Sequence, residues 1–221
     1  MKLLCEVRDD IECITEVDGD KKNLILSGVF MQSDIANKNK RMYPSKVMEN
    51  EVNRYIKEVI NKNNAVGELS HPKSANINLE RVSHKIQELK MEGKNVVGKA
   101  KILETPMGNI ARGLVDGGVR LGVSSRGLGS LKPVKDGLME VGNDFKLVTV
   151  DIVSDPSAPD AWVNAVMEGV DWVWDEKTNE WKQLELAMES KKTIKKLSSR
   201  QLEECKYRLF ENYLTSLATH K

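Results

Sequence analysis

The sequence predicts an α+β fold with a barrel-like β domain. Three observations carry this reading. Several short apolar runs of strand length are bounded by Gly, Pro and polar residues, and two segments of helical periodicity lie between them. Repeating strand–helix–strand units and internal repeats are both absent, which argues against a parallel doubly wound sheet.

Asn23–Met31 (NLILSGVFM) reads as a buried strand. Residues 37–42 form a basic loop, and Tyr43-Pro44-Ser45 opens a helix with Ser45 as its expected N-cap. Along that helix Met48, Val52, Tyr55, Ile56 and Val59 recur every three or four residues and mark a core face. Ala65–Leu69 leads to Ser70-His71-Pro72, where proline ends regular structure. Residues 82–92 and 95–103 read as two strands joined by a turn at 92–95; in the second, Ala100 and Ile102 alternate with Lys99 and Lys101. A short helix is predicted over 106–116, and strands over 119–126 and 145–153. Beyond about residue 176 the text turns helical: Trp181, Leu184 and Met188 form one face, then Leu202, Cys205, Leu209 and Tyr213 follow a capping-box pattern at 198–201. The expected division is therefore a domain over 1–175 and an amphipathic helical tail over 176–221.

The chain has 221 residues, 40% of them apolar and 30% charged, enough for folding to bury roughly 70–75% of its surface. No apolar stretch approaches membrane-span length, and acidic residues come too early at the start for a signal-peptide core. Cys5, Cys13 and Cys205 form neither a disulfide framework nor a paired zinc motif, so a reducing compartment is expected. A net charge of +1 excludes nucleic-acid binding driven by global attraction. The charge is uneven: residues 176–221 hold 10 basic and 7 acidic side chains, +3, which leaves −2 for the rest.

Leu121-Gly122-Val123-Ser124-Ser125-Arg126-Gly127-Leu128-Gly129-Ser130 is the most unusual text. A phosphate loop fails because Leu128 and Gly129 stand where Lys and Ser/Thr are needed, and a dinucleotide fingerprint fails for want of a third glycine. Glycines that merely permit a turn are one remaining reading; a serine nucleophile is the other. A nucleophile needs a base, and there are three histidines. His220 lies next to the C-terminus. His84 sits in a strand, where it reads as surface or filling. His71, at the end of a predicted strand, is the best candidate. Asp151 is the one acid in the apolar run Phe145–Val153, and burying it unpaired would be costly. Period two sets Val148, Val150 and Ile152 on a core face and Asp151 on an open one. The same argument sets Leu121, Val123 and Ser125 on one face and leaves Ser124 as the exposed hydroxyl.

Five blocks then resemble the prohead core protein proteases of T-even-type tailed phages: Gly28–Gln32, Asn37–Pro44, Gly67–Pro72, Gly122–Ser130 and Asp155–Trp162. They occur in order and span roughly residues 24–165. That family is similar in fold to the herpesvirus capsid-maturation protease, a serine protease on a small β-barrel surrounded by helices, and the resemblance implies such a fold here.

The resemblance implies that His71 is the general base and Ser124 the nucleophile, with Asp151 in the orienting role that a second histidine fills in the herpesvirus enzyme. No metal or cofactor is implied. Backbone N–H groups of Arg126 and Gly127 are the first candidates for an oxyanion hole, and the 156–161 loop is the next. Family members cut after glutamate in Leu/Ile-x-Glu contexts. They act inside the assembling prohead in the host cytoplasm, on scaffold, core and major capsid proteins. A glutamate pocket needs positive charge, for which Arg126, Lys38, Lys40 and Arg41 are candidates. Leu202-Glu203-Glu204 and Leu209-Phe210-Glu211 fit the cleavage pattern, so the tail is expected to tether the enzyme to the scaffold and to be shed by self-cleavage. A homo-oligomer is compatible with this reading; direct nucleic-acid and membrane partners are not expected. The rival reading is a scaffold or capsid-assembly protein that keeps the fold without cleaving.

Overall fold

Two antiparallel sheets carry the architecture, and the apolar runs of the sequence supply most of their strands. The computed structural model describes residues 1–8, 11–18, 21–72, 74–154, 172–175, 178 and 180–183. The chain begins with β1 (Lys2–Arg8), β2 (Ile11–Asp18), β3 (Lys21–Gln32) and β4 (Arg41–Met42). Helix α1 (Ser45–Tyr55) follows, continued by a π turn at Ile56–Ile60, and then β5 (Val66–Glu68). Next come β6 (Val82–Glu92), β7 (Asn95–Ile102), α2 (Pro106–Asp116) and β8 (Leu121–Gly129). The short β9 (Leu131–Pro133) and β10 (Met139–Val141) lead to β11 (Lys146–Ser154), and β12 (Trp172–Asp175) pairs with β13 (Glu180–Gln183).

The larger sheet has the order β2-β3-β7-β6-β5 and the smaller one β1-β8-β11; every ladder in both is antiparallel. A parallel bridge between Leu69 and Ile152 links the end of β5 to β11. The neighbour sequence thus runs from β2 round to β1, and among the described residues no ladder joins those two. Among the described residues the expected β-barrel is not seen to close; the fold is mixed α+β, mostly strands with few helices. Between the sheets lies the main core, where Leu24, Leu26, Phe30, Ile86, Val96 and Ile102 meet Leu121, Val123, Val150 and Ile152. Helix α1 contributes Val47, Met48, Val52 and Tyr55, as its periodicity predicts.

Several local features depart from the sequence reading for identifiable reasons. Ser45 is the first helical residue rather than the cap; Asp34, held at φ 52°, accepts its N–H at 2.9 Å and its hydroxyl as well. Two hydrogen bonds from Ser45 lower the pKa of Asp34. In α2 the expected start is conventional: Thr105 accepts the Gly108 N–H at 3.1 Å, with Pro106 at the first helical position. Strands β1 and β2 were not expected, because their apolar runs are short and broken by charge. In β11 a bulge at Val148 breaks the period-two count, so Leu147 joins Val150 and Ile152 in the core while Val148 turns to the other face. The bulge is pinned from α1: Glu51 accepts the Leu147 N–H at 2.6 Å and Arg54 donates to its carbonyl at 3.2 Å.

Contacts group Met1–Trp181 as one unit and Lys182–Lys221 as another. Trp181, expected on a helix, lies in β13, where its ring meets Trp174 edge-on at 5.3 Å. Leu184, Met188 and the rest of the tail expected to be helical lie outside the described residues. No helix among the described residues is long and apolar enough to cross a membrane.

Candidate active site

Strand β8 is the middle strand of its sheet. Its register places Ser124 directly across from Asp151 on β11 and from Val7 on β1. Ser124, Arg126 and Asp151 therefore share one face, while Leu121, Val123, Val150 and Ile152 point into the main core. Ser124 and Ser125 thus lie on opposite faces, as period two predicts, but Ser124 is not exposed. Ser124 and Asp151 are both 0% exposed, because this face is not open. It carries a second apolar cluster of Leu3, Cys5, Ala75, Leu128 and Trp172, with Val148 and Trp181 packed against it.

His71 is delivered to this face by β5. Gly67 is needed there because a Cβ would stand 2.3 Å from both the His84 ring and the Val150 carbonyl oxygen. The close approach lets the Glu68 N–H reach Asp151 Oδ1 at 3.1 Å. Ser70, at φ 65°, then turns the chain while its N–H bonds the Ile152 carbonyl at 2.8 Å. The next residue, His71, places Nδ1 3.0 Å from Asp151 Oδ2. An ionised carboxylate only accepts, so Nδ1 carries the proton and Nε2 keeps a lone pair. His71 Nε2 and Ser124 Oγ are among the buried polar atoms here that have no hydrogen-bond partner. One is the acceptor a general base needs, and the other is the hydroxyl of a nucleophile.

Arg126 is buried, and both terminal nitrogens of its guanidinium are hydrogen-bonded. Nη2 lies 3.1 Å from Asp151 Oδ1 and 3.0 Å from Glu68 Oε1. Nε stands 3.0 Å from Asp151 Oδ2 as an ion-pair contact whose N–H is not aimed at the oxygen. Nη1 donates to the Ser74 and Asn76 carbonyls at 2.6 and 3.2 Å. This side chain is turned inward and is not free to read a substrate carboxylate. The backbone of Arg126 and Gly127 is flanked by Cys5 and Leu4 on β1 and by Thr149 and Leu147 on β11. Their N–H groups thus lie within a two-sided ladder, a poor position from which to offer oxyanion donors. The 156–161 loop lies outside the described residues.

The basic loop is anchored elsewhere. Arg41 Nη1 donates to Glu6 Oε1 at 3.1 Å, joined by the Asn39 amide at 2.6 Å to Oε2 and the Tyr43 hydroxyl at 3.0 Å to Oε1. Glu6 pairs with Ser125 across β1–β8, so this anchor belongs to the face opposite Ser124. Lys38 and Lys40 are exposed. The four positive candidates are therefore not brought together.

His84 is buried rather than superficial. Its Nε2 donates to the Val150 carbonyl at 2.8 Å, and its Nδ1 pairs with the Ser83 hydroxyl at 2.9 Å. Burial lowers its pKa, against the Val150 hydrogen bond and the Asp151 charge. Glu68 joins the site by the same physics as Asp151: an acid among Ala65, Val66 and Leu69 must find a partner. Among the described residues no group of three or more His, Cys, Asp or Glu side chains is placed to hold a metal ion.

The family profile described as prohead core protein serine protease matches residues 6–171. The chain is 39% identical over 170 residues to the prohead core protein protease of enterobacteria phage T4, covering 72% of this chain and 78% of that one. Its fold is similar to the solved structure of the bacteriophage T4 capsid assembly protease, with a TM-score of 0.66 and 35% identity, covering 70% of this chain and 98% of the other.

Proposed function

The chain belongs to the family of prohead core protein serine proteases, and from that premise we propose that it cleaves peptide bonds of scaffold, core and capsid proteins in the assembling prohead through Ser124, His71 and Asp151. The observation that carries this is the 3.0 Å contact between His71 and Asp151 on the face that also bears Ser124. Neutral His71 takes the Ser124 proton at Nε2 as the hydroxyl attacks the substrate carbonyl, then returns it to the leaving amine. Asp151 holds the ring in the productive tautomer and stabilises the imidazolium that forms. Water then repeats the cycle on the acyl-enzyme, and no step calls for a metal.

Cleavage after glutamate is the finer part of the proposal. Of the four positive candidates, the exposed Lys38 and Lys40 keep cations available for a substrate carboxylate. The tail over 176–221 is the proposed tether, and Glu204 and Glu211 are its sites of self-cleavage. Mass spectra of active enzyme that retain the intact C-terminus after long incubation would overturn that part.

The test is incubation of the chain and its Ser124→Ala variant with phage scaffold proteins. Turnover should fall by roughly 10⁴–10⁶-fold in the variant. Equal cleavage by both removes Ser124 from the reaction; cleavage by neither favours a non-catalytic scaffold protein.

A further inference from the structure

Three distant segments meet at the site: β8 with Ser124, β11 with Asp151, and the turn after β5 with His71. One side chain touches all of their supports. Arg126 stands two residues from Ser124 on the same face of β8, spans both oxygens of Asp151, and holds the Ser74 and Asn76 carbonyls just beyond His71. Its own charge is balanced from β5 by Glu68, whose N–H also bonds Asp151. Glu68 is fixed in turn by the Asn78 N–H at 3.0 Å and by Arg81 Nε at 3.3 Å.

Resting on the protease reading, we infer that Arg126 and Glu68 are positioning residues that act on His71 through Asp151, with Arg126 keeping Asp151 ionised and aimed and Glu68 setting how much of that positive charge His71 feels. The physical need is plain. A carboxylate buried this completely and left uncompensated would take up a proton, and a neutral Asp151 would no longer stabilise an imidazolium. A lone buried Arg126 beside it would have the opposite fault, opposing the positive charge that His71 acquires during turnover. Splitting one guanidinium between two carboxylates meets both needs. Nη2 bonds Glu68 Oε1 and Asp151 Oδ1 together while Nε lies against Asp151 Oδ2, a fork of contacts on both oxygens that a lysine could not make.

Among the described residues, His71 pairs with Asp151 from β11, and the charged and titratable groups linked to it through that carboxylate are Arg126 from β8, Glu68 from β5, Arg81 from the turn before β6, His84 from β6 and the Cys5 thiol from β1. The Cys5 thiol is held neutral, its pKa raised by burial and then by Asp151. Changing Glu68 to glutamine keeps the shape and an acceptor for the Asn78 N–H while removing one charge.

The first measurement is the NMR titration of the His71 ring in full-length protein carrying Ser124→Ala, with and without Glu68→Gln. The midpoint should move down by roughly 1 pH unit, because Arg126 is then less balanced. An unmoved midpoint overturns the inference. This readout does not need cleavage, so a chain that cuts nothing yet shows the shift fails the protease reading while supporting the electrostatic coupling. The second measurement is steady-state cleavage by Arg126→Lys, which keeps the charge and loses the fork. kcat should fall roughly 10–100-fold with KM changed less than about twofold. Wild-type kcat, or a raised KM confined to glutamate substrates, would return Arg126 to a filler or pocket role and overturn the assignment.

Discussion

Ser124 and Asp151 are direct cross-strand neighbours on β8 and β11, and the carboxylate of Asp151 reaches the His71 ring at 3.0 Å. The alignment of the acid with the hydroxyl is thus a property of strand register, fixed by the core-facing Val123 and Ile152 beside them. A one-residue slip would send both side chains to the wrong face. Asp151→Asn keeps the shape but offers the ring an amide, which favours the opposite tautomer. Turnover of a scaffold substrate should fall about 10⁴-fold, as in known triads. An undiminished rate would remove Asp151 from the reaction.

Ser125 provides the control. It lies opposite Glu6 on the face away from Asp151. Ser125→Ala should leave kcat/KM within roughly threefold of the native chain, whereas loss comparable to Ser124→Ala would mean the two hydroxyls had been assigned to the wrong faces.

Gly67 allows β5 to approach β11 closely enough for the Glu68 N–H to bond Asp151. An added methyl would strike the His84 ring and the Val150 carbonyl oxygen, both at 2.3 Å. Gly67→Ala should therefore cost roughly 1–3 kcal/mol of stability, as overpacking does. It should also weaken catalysis by moving His71. Denaturant unfolding and turnover measured on the same preparation check both; a variant with native stability would show that the strands can part freely.

Periodicity made much of this legible. The α1 face, the β6–β7 hairpin, with Gly93 at φ 61° in its turn, and the strands bearing Ser124 and Asp151 follow from spacing alone. His71 followed from the scarcity of histidine. Spacing does not reveal what covers a face. Ser124 reads as exposed because nothing local shows that Trp172, more than forty residues away, packs with Leu3, Cys5 and Leu128 over that side of the sheet. Arg126 reads as a surface cation for the same reason: its partners, Glu68 and Asp151, are 58 and 25 residues distant. The Val148 bulge breaks the period that placed its neighbours, and only the reach of Glu51 and Arg54 from α1 explains where it falls.

The apolar cluster on the Ser124 side of the sheet has a definable latch. The Asn76 side chain donates to the Trp181 carbonyl and accepts its N–H, each at 2.9 Å. Each bond contributes about 0.5–1.5 kcal/mol, and breaking both favours local opening of β12–β13 over global unfolding. Asn76→Ala should raise the rate at which a fluorophosphonate probe labels Ser124 by roughly tenfold, with unchanged secondary structure by circular dichroism. Equal labelling rates would show that β12–β13 does not limit access.

Acid stability should carry the signature of His84. Its ring is neutral where it sits, donating to Val150 and paired with Ser83, and burial holds its pKa below the ordinary value. Below about pH 6.5 the unfolded chain therefore binds a proton that the folded chain resists. The stabilising contribution is complete above that pH and is lost as pH falls toward the folded-state value, at no more than about 1.4 kcal/mol per unit. His84→Gln can still donate to the Val150 carbonyl but cannot titrate. Urea midpoints measured from pH 8 to 5.5 should fall more steeply for the native chain than for the variant. Parallel slopes would mean that His84 is protonated without cost, and that the Ser83–His84–Val150 chain of hydrogen bonds does not hold β6 against β11.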